Sequence, residues 1–239
     1  MKRLFILGGI LIGMLLLFNS YSEAQLKTVV SITGSVFNAN TKDPIRINYQ
    51  LQDNTGKTIR RGKTNAAQNG YYFITGLKPG EQYKLIFEGD ENYFVSEFPV
   101  EIPNTDKYLE FSKDYLIVPK YKGVEIAQRV PVFEPNKTKL RGGADYFLED
   151  FMKTLSENPN IKFKIVAYAD NDVDDVVNEA VTKARCKALN DYFITKGVTQ
   201  DRIQTEAKNT TDPKNPPPKE KRAKGKRYIG SVYYVIDKF

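Results

Sequence analysis

Histidine and tryptophan are absent from this 239-residue chain, and cysteine occurs once. Without an imidazole there is no Ser-His-Asp or Cys-His nucleophile system, no His-ligated zinc and no histidine proton shuttle, since each needs a group that titrates near neutrality or a neutral nitrogen ligand. A single thiol makes neither an internal disulfide nor a thiolate cluster. Acid–base chemistry is left to Asp/Glu pairs, and no spacing in the chain singles one out. The expectation is therefore a protein without cofactor or metal, and not an enzyme. Hydrophobic residues at 41% and charged residues at 27% are ordinary for a globular chain, and the length fits one or two domains.

Long apolar runs are equally scarce. One occurs, from Leu4 to Phe18 behind Lys2 and Arg3, followed by polar residues and then Ser22 and Ala24. Fifteen residues fall short of the ~20 that cross a bilayer. Small residues at 22 and 24 suit signal-peptidase cleavage before Gln25, so residues 1–24 read as an export signal. The mature chain, starting at Gln25, is expected to be exported.

Surplus charge is confined as well. The segment from Lys208 to Arg227 holds eight basic residues and two acidic ones, against a formal +7 for the whole chain. The rest is balanced, which argues against a nucleic-acid partner. This basic, Pro-rich segment reads as a solvated loop.

Two patterns divide what remains. From Val29 to about Pro119, short β-rich runs alternate with turns such as Asp53-Asn54-Thr55-Gly56 and Pro79-Gly80. Such spacing predicts an all-β antiparallel sandwich over residues 25–118. Within it, Gly34-Ser35-Val36, Pro44-Ile45, Gly70-Tyr71-Tyr72-Phe73 and Leu77 to Tyr83 resemble the carboxypeptidase regulatory-like domain, a transthyretin-like β-sandwich. Residues 119–129, with Pro119 and Gly123, read as a linker and hinge.

Residues 130–239 change period. A strand is predicted over 129–133. A helix follows, with Leu140, Ala144, Phe147, Leu148, Phe151 and Leu155 on its core face. Next come a strand over 161–168 and a helix over 174–196 with Val177, Val181, Ala184, Ala188 and Tyr192 facing the core. Strands over 203–206 and 228–236 close the set. This β-α-β-α-β-β order predicts an α/β unit with helices packed on a small mixed sheet.

The informative constellation is Asp170 after the central strand, with Asn178, Thr182 and Arg185 on the following helix. A carboxylate and a guanidinium on neighbouring elements can hold the two ends of a zwitterionic amino-acid group, the ammonium on Asp170 and the carboxylate on Arg185. The acids Asp170, Asp172, Asp174, Asp175 and Glu179 do not make an EF-hand, because the sixth loop position is Asp175 and the twelfth is Val181. Cys186 reads as a small core residue.

Asp170, Asn178, Val181-Thr182 and Arg185 stand at the offsets of the OmpA-like peptidoglycan-binding domain. Gly225-Lys226-Arg227-Tyr228 is similar to that family's C-terminal motif. The resemblance implies an exported envelope protein of a Gram-negative bacterium whose partner is peptidoglycan, the diaminopimelate residue of the stem peptide lying between Asp170 and Arg185 with Asn178 and Arg227 in support. It implies a tether between the wall and an outer-membrane or periplasmic assembly, with a protein partner on the N-terminal half. The alternative is a structural assembly component whose C-terminal half has lost tight wall binding. Ala167, Ala169, Val173 and Cys186 depart from the motif, and Ala207 to Thr210 replace its glycine-bearing later signature. Lost glycines narrow or reshape a pocket.

Overall fold

The computed structural model describes residues 29–218 and 227–239; residues 1–24, expected from the sequence to be an export signal, lie outside the described residues. Among these residues no helix is long and apolar enough to cross a membrane.

Among the described residues, eight strands build the first half: β1 (Val30–Asn38), β2 (Asn48–Asp53), β3 (Thr58–Lys63), β4 (Tyr71–Leu77), β5 (Gln82–Phe87), β6 (Ser96–Glu101), β7 (Leu109–Ser112) and β8 (Tyr115–Ile117). One sheet runs β3-β2-β5-β6. The other runs β4-β1-β7, with β8 also on β1. Period-two alternation on each sheet aims Ile32, Val36, Leu51, Tyr72, Leu85, Phe87 and Tyr115 into a shared core, where Phe98 and Tyr115 meet at 4.6 Å. The sandwich is not purely antiparallel, because β7 and β8 both run parallel to β1. Val30 pairs with Leu109 and Val36 with Tyr115, one register throughout, so β7 and β8 are a single strand interrupted at Lys113 and Asp114. Gly34 sets the interruption: a Cβ there would lie 2.1 Å from the Lys113 carbonyl oxygen. That carbonyl accepts the Tyr72 hydroxyl at 2.7 Å, and Asp114 accepts the Ser35 N–H at 2.8 Å.

The second half comprises β9 (Glu125–Ala127), α1 (Ala144–Glu157), β10 (Lys162–Ala167), α2 (Asp175–Thr195), β11 (Ile203–Ala207) and β12 (Val232–Lys238), with sheet order β11-β10-β12-β9. Both helices cover one face: Phe151 of α1 stacks on Tyr234 at 4.5 Å, and Phe193 of α2 meets Phe163 at 5.4 Å. The first strand is displaced from the expected 129–133 to 125–127, where Tyr234 pairs with Ile126. Pro131 has no N–H for a ladder. Val132 and Phe133 are buried outside any strand.

Two further expectations change. The buried face of α2 is Asn178, Thr182, Arg185, Cys186, Leu189 and Phe193, mostly one residue beyond the predicted stripe, a rotation of ~100°. The segment 119–129 is not a free hinge: it carries β9, buries Val124 and Ile126, and its Gly123 N–H donates to the Ile236 carbonyl at 2.7 Å. Ala39, Phe94 and Val118 from the first half join the core of the second. Asn158 ends α1 by donating to the carbonyls of Thr154 and, across the junction, Val95, both at 2.8 Å.

Candidate functional site

The site lies where β10 ends and α2 begins. Asp174 caps α2, its side chain accepting the N–H groups of Val176 and Val177 at 3.0 Å, which satisfies two of the helix's orphan donors. Asn178 and Arg185 lie on the buried face of α2. Asn178 donates to the carbonyls of Asn171 at 2.7 Å and Asn209 at 3.0 Å, tying the loops after β10 and β11 together beside Asp170.

Asp170 and Arg185 form a bidentate ion pair, Nη1 to Oδ1 at 2.6 Å and Nη2 to Oδ2 at 2.8 Å, with side chains only 6% and 1% exposed. The carboxylate also accepts the Asn136 N–H at 2.7 Å and the Gly230 N–H at 2.7 Å, two donors to each oxygen in all. Burial alone would raise the Asp170 carboxyl; the Arg185 guanidinium and the two backbone donors outweigh it and hold the group below the usual carboxylate range. Arg185 Nε donates to the Lys137 carbonyl at 2.9 Å and Nη2 to the Glu134 carbonyl at 3.1 Å. Its guanidinium carbon sits 5.2 Å from the Phe133 ring centroid, a cation–π contact.

Two backbone features make this closure possible. Asn136 adopts φ 56°, the left-handed region that Asn tolerates better than most residues, and this turns its N–H toward Asp170. At Gly230 a Cβ would lie 2.0 Å from the Tyr168 carbonyl oxygen, so only glycine lets the returning segment approach near enough to donate.

The structure thus brings Asp170, Asn178 and Arg185 together. Arg227 is exposed and makes no hydrogen bond to these three among the described residues. Glu134, Asn136, Lys137 and Gly230 enter through backbone atoms, which leave no side-chain signature; the sole sequence hint is the turn dipeptide Pro135-Asn136. Three other acids of the cluster are separately engaged: Asp172 accepts the Thr211 N–H at 2.6 Å and its hydroxyl at 2.7 Å, Asp174 caps α2, and Glu179 pairs with Lys183. No group suited to hold a metal occurs among the described residues. Cys186 is buried, which pushes its thiol up to about 11 and keeps it a core residue at neutral pH.

The first part of the basic segment is fastened rather than solvated. Asp212 is fully buried and accepts the Tyr233 hydroxyl at 2.6 Å and the Lys214 N–H at 2.9 Å. Lys214 pairs with Glu125, and the Tyr228 hydroxyl donates to the Asn215 carbonyl at 2.7 Å. Residues 219–226 lie outside the described residues.

Residues 132–227 match the model of the OmpA family, so this stretch, which contains Asp170, Asn178 and Arg185, is an OmpA-like domain. Similar solved structures include the OmpA-like domain of FopA1 from Francisella tularensis subsp. tularensis, at 15% identity over 49% of this chain and 84% of that one, with a TM-score of 0.35. The peptidoglycan-associated lipoprotein from Burkholderia pseudomallei is 13% identical over 45% of this chain and 87% of that one, TM-score 0.34. The shaft pilin SpaA from Lactobacillus rhamnosus GG is 13% identical over 39% of this chain, TM-score 0.31, and this chain spans 51% of its length. No curated protein sequence matches the chain.

Proposed function

We propose that the chain is a non-catalytic envelope protein whose OmpA-like domain engages peptidoglycan. The observation that carries this reading is the family match over residues 132–227, with a carboxylate and a guanidinium held side by side within it. In the finer form of the proposal, a diaminopimelate group exchanges into the pair: its ammonium takes the place of Arg185 on Asp170, and its carboxylate takes the place of Asp170 on Arg185. The Glu134 and Lys137 carbonyls must then part from the guanidinium. The domain would tether an outer-membrane or periplasmic assembly to the wall, with export, a Gram-negative source and a protein partner on the carboxypeptidase regulatory-like N-terminal half belonging to the same proposal.

A second reading has its own observation. The Asp170 carboxylate already receives four hydrogen bonds, which suits a structural brace in an assembly component that binds protein rather than wall. Sedimentation with purified sacculi separates the two. Co-pelleting without release of soluble fragments supports wall binding; retention of the whole protein in the supernatant rejects it in favour of the second reading.

A further inference from the structure

Of the stripe predicted to face the core in α2, Val177 faces solvent, and two valines off that stripe, Val173 and Val176, are exposed with it. Val173, Val176 and Val177 are 89%, 79% and 55% exposed. Val176, Val177 and Ala180, the last also exposed, stand at i, i+1 and i+4 on one side of the first turns of α2, and Val173 lies just before the helix. Asp175 and Glu179 lie exposed beside them, Glu179 pairing with Lys183 on the same helix. Contiguous exposed valines framed by acids mark an interaction surface. Its complement occurs on the same molecule. The edge strand β3 exposes Ile59, Arg61 and Lys63, flanked by Lys57 and Arg60. None of these four cations is in an ion pair among the described residues.

The two surfaces cannot meet within one chain. The sheet runs β3-β2-β5-β6, and α1 packs against β6, so β3 lies on the edge remote from the second half. Three strand spacings of ~4.8 Å, then α1, stand between β3 and the helices. They can meet between copies. We infer that the chain self-associates head to tail, the β3 edge of one copy docking on the valine face of α2 of the next, with Ile59 against the valines and Arg61 and Lys63 against Asp175 and its acidic neighbours. Such a contact is heterologous, so copies add in series rather than stopping at a pair. A few valines fill little of the ~800 Å² per partner of a standard interface, so the association is weak and depends on local concentration. Being charge-steered, it also weakens with salt.

Sedimentation velocity on the purified chain as cells produce it, from about 10 µM to about 1 mM at about 50 mM salt, tests this. The expected result is a weight-average mass that climbs with concentration through successive multiples of the monomer and falls at about 0.5 M salt. Val176→Asp or Arg61→Glu alone should weaken association ~tenfold or more. Combining Asp175→Lys with Arg61→Glu should restore part of what each loses alone. Circular dichroism checks that each variant folds, as expected for exposed positions. A monomer at every concentration overturns the inference, and so does association that Val176→Asp and Arg61→Glu leave unchanged.

Discussion

Asp170 and Arg185 face each other edge to edge, each nitrogen of the guanidinium fork on its own carboxylate oxygen, with water almost excluded from both. Removing one partner from such a pair strands the other as an uncompensated buried charge. Arg185→Ala is expected to cost ~3–5 kcal/mol of folding stability, read by urea denaturation, whereas the double change Asp170→Leu with Arg185→Met should recover most of the loss. A double variant no more stable than Arg185→Ala would show that the backbone partners, not the charges, dominate.

The pH dependence follows from the same carboxylate. Its folded-state value lies below the unfolded one, so its contribution to stability is present above the unfolded value near ~3.9 and is lost as pH falls through the folded value. Asp212 shifts in the same direction despite its burial, through the Tyr233 and Ser231 hydroxyls and neighbouring backbone N–H groups. Melting temperature is expected to hold from neutrality to about pH 5 and drop below about pH 4. Asp170→Asn should lower the melting temperature at neutral pH and flatten the acid drop; an equally steep drop in the variant would assign the acid sensitivity elsewhere.

Gly230→Ala is expected to destabilise the domain by ~1–3 kcal/mol, because the added methyl meets the Tyr168 carbonyl and the segment must retreat from Asp170. Hydrogen exchange at residue 230 should accelerate together with that at Asn136. Acceleration at 230 alone would mean that the two loops are held independently.

The junction predicts a coupled melt. With Phe94 and Val118 in the core of the second half, and Phe239 edge-on to Phe94 at 5.3 Å, calorimetry should give a single transition. Phe94→Ala should cost ~3–5 kcal/mol and split it in two. Two well-separated transitions in the unaltered chain would restore the hinge.

Much of the architecture was legible because its signals are local. Short β-rich runs between turn residues such as Asp53 to Gly56, and the helical period of Leu148, Phe151 and Leu155, each report on their own surroundings. The rotation of α2 was not legible: a stripe of Val177, Val181 and Ala184 looks more apolar than Asn178, Thr182 and Arg185, and only a partner 15 residues earlier in the chain makes burying Arg185 tolerable. The edge strand at 125–127 escaped because three residues carry little periodicity. Asp170, Asn178 and Arg185 were identifiable from type and spacing. That the pair would be sealed by Glu134, Asn136 and Lys137 was not, since carbonyls and N–H groups are the same on every residue.

The parallel strand split between β7 and β8 bears on the order in which the chain can fold. Among the described strands β1 is the first to emerge, yet on one side its neighbours are residues 109–117. Closing so long a loop is entropically slow compared with the hairpins between. A nascent chain that ends before residue 109 therefore leaves Val30 to Asn38 with β4 alone, half its backbone donors open. The sandwich can be completed only after that stretch has been made, which makes its first strand one of the last to be secured and the part most exposed to wrong pairings in the interval.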